Sequence, residues 1–131
     1  VALSAHMLGS AHAVFEQTLA YLKTREQFGK PIGAFQALQH RAVDVYIQLQ
    51  RARSSVIAAA ADPSPRNVSL ATAPVGPAFR HAANEAVQLH GGIGMTEECD
   101  VGLFLKRCAV AEATLGDDAW HRDRWDRRAS R

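Results

Sequence analysis

Two short stretches of the sequence place polar side chains and glycines where a helical pattern is interrupted. In TREQFGKPIGAFQ, Arg25 precedes a sharp corner and Gln36 opens the next helical run. In EAVQLHGGIG, a helical run ends at Gly91 and Gly92. An arginine can bind phosphate through two hydrogen bonds, and glycines let backbone amides approach another molecule closely. These stretches indicate an anion-binding site, and the alternative is an ordinary turn and an ordinary helix cap.

Motifs of other chemistries are missing from the sequence. None of the six histidines forms an i, i+4 pair or a Cys/His cluster with metal-ligand spacing, so we expect no metal site. No GxSxG, P-loop or GxGxxG motif occurs. The C-terminal HRDRWDRRASR mixes basic and aromatic residues, as some nucleic-acid-binding segments do. Acidic residues alternate with its arginines, so we interpret it as a solvated, salt-bridged helix face.

The composition is that of an ordinary globular domain. The chain has 131 residues, 47% of them hydrophobic, and a net charge of +2, which is too small to indicate nucleic acid or a membrane surface as partner. Cys99 and Cys108 lie nine positions apart in one predicted helix and cannot easily bridge, so we expect a reducing, cytoplasmic setting. No apolar run could span a bilayer, and no signal peptide is recognisable. The first residues already follow a helical pattern, so we expect a piece of a longer polypeptide.

The elements that must position these residues are four helices joined by short loops. They are predicted at roughly 2–24, 35–59, 66–90 and 96–128, the last with a weak point at Gly116. We expect Thr96 to cap the fourth helix, and Pro74 and Pro77 to kink the third or delay its regular part to about Pro77. The fold class is therefore all-α, an antiparallel up-and-down four-helix bundle.

The clearest helical pattern is an apolar stripe on the second helix, spaced alternately three and four residues apart. It comprises Phe35, Leu38, Ala42, Val45, Leu49, Ala52, Val56 and Ala59. The first helix shows a similar face at Met7, Ala11, Val14, Thr18 and Leu22.

The segments YLKTREQFGKPIGAFQALQHRAVDV and EAVQLHGGIGMTEECDVGLFLKR together resemble the C-terminal helical domain of the acyl-CoA dehydrogenase family. The resemblance covers nearly the whole chain and implies that residues 1–131 are that domain, without the family's N-terminal helical domain and middle β-domain. It further implies FAD as cofactor, assembly as a dimer or tetramer, α,β-dehydrogenation of an acyl-CoA, and an electron-transfer flavoprotein as electron acceptor. By this reading the fragment alone is inactive.

The resemblance also implies which residues contact the cofactor. In the family, the corner after the first helix supplies an arginine to the pyrophosphate of an FAD held mainly by a neighbouring subunit. A glutamine at the start of the next helix, an aromatic residue in the corner and the segment before the glycine pair also reach the FAD. The matching residues here are Arg25, Phe28, Gln36, Gln88, Leu89, His90, Gly91 and Gly92.

The sequence departs from the family at the catalytic base. Many members place a glutamate where this chain has Gly116. Three alternatives follow: Asp117 or Asp118 substitutes, the base lies just before Val1 on the first helix, or the chain is a non-catalytic subunit of a heteromer, as among relatives that degrade sterol side chains. Glu112 is expected to form a surface ion pair. The rival function is a helical oligomerisation module without activity. The sequence does not determine which acyl group the substrate carries.

Overall fold

The computed structural model describes residues 1–129, which form helices apart from one small hairpin and short turns. Helix α1 spans Ala2–Thr24, α2 spans Gln36–Ala61, α3 spans Pro65–His90, α4 spans Val101–Ala113 and α5 spans Asp118–Ala129. Strands β1 (Glu26–Gln27) and β2 (Lys30–Pro31) pair antiparallel between α1 and α2, and 3₁₀ turns follow at Ile32–Ala34 and Gly91–Met95. The all-α bundle and the bounds predicted for the first three helices are confirmed, within one or two residues.

Helix α3 lies at the centre of the bundle and packs against all four other helices. Small residues such as Ala71, Ala78, Ala82 and Ala86 make up much of its buried surface, so the neighbouring helices can approach closely. Helix α1 buries all five residues of its predicted face. The stripe on α2 is fully buried only from Val45 onward, because its first turns border an open groove described below.

The two prolines do not interrupt α3, which is continuous from Pro65 to His90. The expectation that the regular part begins only near Pro77 is therefore wrong. The helix has a favourable start, because Pro65 occupies the first turn and the Ser64 hydroxyl accepts a hydrogen bond from the Asn67 amide at 3.3 Å. Burial between the other helices outweighs the roughly 3 kcal/mol that each interior proline costs.

The fourth predicted helix is two helices, and its predicted start was wrong. Helix α4 begins at Val101, and the Thr96 hydroxyl donates to the Ile93 carbonyl at 2.8 Å instead of capping a helix. Cys99 therefore lies before the helix that contains Cys108. Both cysteines are free, as predicted. Leu115 falls within the predicted fourth helix but lies between α4 and α5, 76% exposed and with a φ of +63°.

Helix α5 packs on α3 and carries the ion pairs predicted for its exposed face. Arg122 pairs with Asp118 at 3.5 Å, and Arg127 pairs with Asp123. Ser130 and Arg131 of the predicted basic segment lie outside the described residues. Over residues 1–129, every helix is too short or too polar to cross a lipid bilayer.

Candidate functional site

The corner after α1 is a tight hairpin that holds Arg25 in an extended conformation. The Arg25 amide donates to the Tyr21 carbonyl at 2.8 Å, and the Ile32 amide donates to the Arg25 carbonyl at 2.8 Å. Phe28 and Gly29 connect the strands, and both have positive φ, 55° and 75°. Two such residues form the type I′ turn that matches the twist of a hairpin. The backbone around Arg25 is therefore held by hydrogen bonds, and its side chain is left to project from the corner.

The end of α3 presents an open backbone edge. Gly91 has a φ of +67°, which favours glycine, and its amide donates to the Gln88 carbonyl. A Cβ added at Gly91 or Gly92 would meet nothing within 4 Å. Gly94 differs, because a Cβ there would lie 2.7 Å from the Val87 carbonyl oxygen. Residues 91 and 92 thus border open space, whereas Gly94 is needed for packing.

His90 joins the end of α3 to α1. Its ring stacks on Tyr21 with centroids 4.3 Å apart, and the Tyr21 hydroxyl donates to the His90 carbonyl at 3.4 Å. The ring Nδ1 lies 2.7 Å from the Ala86 carbonyl. Because a carbonyl only accepts, Nδ1 carries the hydrogen and a neutral ring leaves Nε2 as an acceptor. His90 is thereby held in one orientation.

The hairpin and the end of α3 border one groove with a volume of about 380 Å³. Six of the eight predicted cofactor-binding residues line it, namely Arg25, Gln88, Leu89, His90, Gly91 and Gly92. The other two do not line the groove. Phe28 lies at the tip of the hairpin, 92% exposed, with its ring edge-on to Phe35 at 6.0 Å, and Gln36 is the exposed first residue of α2. The fold thus gathers residues from both stretches that the sequence singled out.

Arg25 is the cation that is available for a ligand in this groove. Arg41 also lines it, but its guanidinium binds both carboxylate oxygens of Glu85, at 2.6 and 3.0 Å. The hydrogen bond with Glu85 raises the pKa of Arg41. Among residues 1–129, Arg25 has no ion pair. Sequence reasoning missed Arg41, and its only signal was its place in the same FQALQHR segment as Gln36.

Gly116, where the resemblance stated above leads us to expect the family's catalytic glutamate, adopts a conformation that favours glycine. Its φ is +102°, and an added Cβ would lie 2.7 Å from Cε3 and 3.0 Å from Cδ2 of the Trp120 ring. The indole therefore occupies the direction in which a side chain would leave the backbone. Position 116 contributes no proton acceptor here, and a side chain at this position would have to displace the Trp120 ring.

The nearby carboxylates have structural partners. Asp117 is exposed and caps α5, since its Oδ1 accepts the Trp120 amide hydrogen at 2.8 Å. Glu112 accepts three hydrogen bonds of 2.6–3.1 Å from the Arg80 guanidinium, which confirms the predicted ion pair. This hydrogen bonding with Glu112 raises the pKa of Arg80.

Comparisons with known proteins agree with the fold. Residues 1–130 match the family described as "Acyl-CoA dehydrogenase, C-terminal domain". Acyl-CoA dehydrogenase IpdE2 of Mycobacterium tuberculosis is 43% identical over 107 residues, which are 82% of this chain and 34% of that protein. The chain thus spans about a third of the length of the curated relatives it matches.

Two solved structures show the same arrangement of helices. Butyryl-CoA dehydrogenase from Megasphaera elsdenii superimposes with a TM-score of 0.93 at 26% identity, covering 98% of this chain and 35% of that one. The ChsE4-ChsE5 complex from Mycobacterium tuberculosis superimposes with a TM-score of 0.91 at 30% identity, covering 98% of this chain and 36% of that one. The chain therefore belongs to the acyl-CoA dehydrogenase family, of which it forms the C-terminal helical domain.

Proposed function

We propose that this chain is the FAD-contacting domain of a flavin-dependent acyl-CoA dehydrogenase, which removes an α-proton and a β-hydride from an acyl-CoA thioester. The observation that carries the proposal is the groove in which two features come together. One is the guanidinium of Arg25, which has no ion pair in the described part of the chain, and the other is the open edge at Gly91 and Gly92. A guanidinium donates the forked hydrogen bonds that a phosphate ester accepts, and an edge without side chains lets a ligand approach the backbone closely. FAD supplies the hydride acceptor when it is bound.

The chain's own residues fit the dinucleotide in two further respects. Glu85 binds and neutralises Arg41, so Arg41 does not compete with Arg25 for the same phosphate oxygens. His90 is fixed by its hydrogen bond to Ala86, so the groove wall is already ordered before any ligand arrives. Arg25 would bind the pyrophosphate, and Gln88 would offer an amide beside it.

Phe28 supports a contact with a large partner at the tip of the hairpin. A non-glycine residue in the left-handed region costs about 1–2 kcal/mol, and the ring is exposed to water at 92% of its surface. Stacking on the cofactor or on a neighbouring subunit would remove this apolar surface from water. We infer that Phe28 and Gln36 contact the part of the FAD that extends beyond the groove, at a subunit interface.

The test is the FAD affinity of the intact protein carrying Arg25→Gln. Loss of a charge-assisted hydrogen bond to phosphate should weaken FAD binding by about 10- to 100-fold, measured by flavin fluorescence during titration of the apoprotein. Arg25→Lys should recover part of the loss because it restores the charge without the fork. Arg53→Gln removes another exposed arginine, on α2 and outside the groove, and should leave the affinity unchanged.

The rival function, an oligomerisation module, makes the opposite prediction. It requires that Arg25→Gln has no more effect on FAD binding than Arg53→Gln, and that the intact protein purifies without flavin. Unchanged FAD affinity in Arg25→Gln, with the fold intact by circular dichroism, would refute the proposal.

A second candidate within the same family is the supporting subunit of a heteromeric dehydrogenase. It is favoured by the turn between α4 and α5, where Trp120 packs over Gly116 and Asp117 is exposed and engaged in capping. A general base needs a dry site within hydrogen-bonding reach of the substrate, and an exposed carboxylate that caps a helix does not lie in one. We infer that the base lies elsewhere, before Val1 in the sequence or in a sister chain. The related ChsE4-ChsE5 structure is a complex of two different chains.

These alternatives are separated by mixing the intact protein with acyl-CoA and recording the flavin absorbance. Bleaching by the protein alone would mean that its own chain supplies the base. Bleaching only in the presence of a co-encoded sister subunit would assign the supporting role. Electron-transfer flavoprotein, the acceptor that the family resemblance implies, should then restore the oxidised spectrum.

A further inference from the structure

The two prolines inside α3 leave two backbone carbonyls without their usual helical hydrogen bonds. A helix carbonyl accepts from the amide four residues later, and proline has no amide hydrogen. Pro74 therefore leaves the Leu70 carbonyl without this donor, and Pro77 leaves the Ala73 carbonyl without it. Within residues 1–129 no side chain donates to either oxygen in their place. The proposed function gives these prolines no role.

Both carbonyls belong to residues that line a half-open cavity between α2, α3 and α5. The cavity has a volume of about 510 Å³, and Leu70, Ala73 and Pro74 form its α3 side. The proline ring crowds the carbonyl four residues earlier, which lies on the same face of the helix. The Leu70 oxygen is therefore turned outward beside Pro74, toward the cavity. This volume lies within the range of small-molecule sites.

The cavity is separate from the regions assigned to the proposed function. It shares no lining residue with the groove of Arg25. It is also lined by no residue of α1 and by none of the turn between α4 and α5, where a catalytic base was considered. A ligand in this cavity would therefore occupy a different face of the bundle from the cofactor.

The remaining polar groups near the α3 side are acceptors. The Ser55 hydroxyl donates to the Ala52 carbonyl at 2.8 Å, and the Ser69 hydroxyl donates to the Pro65 carbonyl at 3.1 Å. Neither serine retains a hydrogen for a ligand, so each can only accept. Asp126 of α5 also lines the cavity and has a partner of its own. These groups and the two carbonyls favour a ligand that donates several hydrogen bonds.

Two arginines place positive charge on the opposite walls of the same cavity. Arg51 of α2 is exposed and has no ion pair in the described part of the chain. Arg122 of α5 pairs with Asp118 through Nε at 3.5 Å, which leaves its terminal nitrogens for a ligand. Guanidinium groups bind carboxylates through charge-assisted hydrogen bonds. The cavity therefore offers donors for an anionic group beside acceptors for a cationic one.

We propose that this cavity binds a zwitterionic α-amino acid with an apolar side chain. The ammonium group donates to the freed carbonyls of Leu70 and Ala73, and the carboxylate accepts from Arg51 and Arg122. The apolar side chain lies against Leu70, which is 43% exposed, and against the Trp125 ring. A simple anion would leave the carbonyls without a donor, and a simple cation would be repelled by the arginines.

The test uses the intact protein and L-leucine as the probe. We expect isothermal titration to give a Kd at or below about 1 mM. The controls are 4-methylpentanoate, which is leucine without the ammonium group, and 3-methylbutylamine, which is leucine without the carboxylate. Each should bind about tenfold or more weakly, because each loses charge-assisted hydrogen bonds. The titration requires no flavin, so its result does not depend on whether the chain belongs to an FAD enzyme.

Pro74→Ala tests the role of the freed carbonyl. The variant restores an amide that donates to the Leu70 oxygen, so the midpoint of urea unfolding should rise. The affinity for leucine should fall by about three- to tenfold, because the ammonium group loses its best acceptor. A more stable protein that binds more weakly cannot be explained by damage to the fold.

Two arginines of α2 provide the matched comparison. Arg51→Gln should weaken leucine binding by about tenfold or more, since it removes a charged donor. Arg53→Gln removes an exposed arginine of the same helix that lies outside this cavity, so it should leave the Kd unchanged. This pair keeps the test decisive if Pro74→Ala fails to fold.

Three outcomes would overturn the proposal. The first is no binding of L-leucine to the wild-type protein at about 10 mM, ten times the expected Kd, which would mean that water alone satisfies the carbonyls. The second is equal affinity for leucine and either control compound, which would exclude recognition of the zwitterion. The third is an unchanged Kd in Pro74→Ala or an equal loss from Arg51→Gln and Arg53→Gln, which would place the ligand elsewhere.

Discussion

Replacing Gly116 with glutamate tests whether the turn between α4 and α5 has lost the ability to carry a catalytic base. The new residue would have to adopt a φ of +102°, which L-residues rarely do, at a cost of about 1–2 kcal/mol. Its Cβ would also lie 2.7 Å from Cε3 of Trp120. Trp120 is 48% exposed and can move, so the overpacking cost is about 1–2 kcal/mol, at the lower end of the usual range.

We therefore expect Gly116→Glu to lower the free energy of unfolding by about 2–4 kcal/mol. The assay is urea unfolding of the purified protein, followed by circular dichroism at fixed pH. Gly9→Ala is the control, because Gly9 lies inside α1 and its added Cβ would meet nothing within 4 Å. That variant should gain about 0.5–1 kcal/mol.

The double variant Gly116→Glu with Trp120→Ala separates the two costs. It removes the collision with the ring and retains the backbone strain, so the glutamate should cost only about 1–2 kcal/mol in that background. Stability of Gly116→Glu within about 0.5 kcal/mol of wild type would refute the reasoning. It would mean that the turn accepts a side chain, and the absence of a glutamate there would need another explanation.

Three further predictions concern other parts of the chain. Gly94→Ala should destabilise the protein by about 1–3 kcal/mol in urea unfolding, because its Cβ would collide with a backbone carbonyl, whereas Gly92→Ala should change stability little. Burial raises the pKa of the Cys108 thiol to about 12, so a thiol reagent at pH 8 should modify the partly exposed Cys99 and reach Cys108 only on unfolding. Because the pKa of His121 is lowered in the folded state, the unfolded chain binds more protons between the folded pKa and about 6.5. Stability should fall as pH drops through that window, by no more than about 1.4 kcal/mol per pH unit for this one group, and this component should vanish in His121→Gln.

Much of the fold could be predicted from the sequence because the relevant signals are local. The apolar period on α1 and α2 is a pattern of residues three and four positions apart. The same holds for the corner at Arg25, where glycine and proline limit the backbone. The predictions were wrong where contacts between distant parts of the chain determine whether a helix continues or ends. Packing on all sides keeps α3 continuous through Pro74, and Asp117 starts a separate helix by capping α5.

The candidate site divides in the same way. Residue types at the corner and at the glycine pair identified the residues worth considering, because phosphate binding needs particular donors. Two facts about the groove required the tertiary structure: Arg41 is neutralised by Glu85, and Arg25 is left without an ion pair in the described part of the chain. Side-chain pairing between helices depends on their packing, which no local pattern encodes.

The sequence by itself thus determined the bounds of the first three helices, the buried face of α1 and the two stretches that hold the groove's polar groups, since periodicity and backbone restriction are properties of neighbouring residues. Only the tertiary structure decided that Arg25 and Gly91 border one groove, that Trp120 packs over Gly116 and that His121 is buried. Some of these contacts join residues far apart in the chain, and the others depend on how α5 packs on α3. They arise when helices with complementary surfaces exclude water together, and a one-dimensional pattern does not specify which surfaces meet.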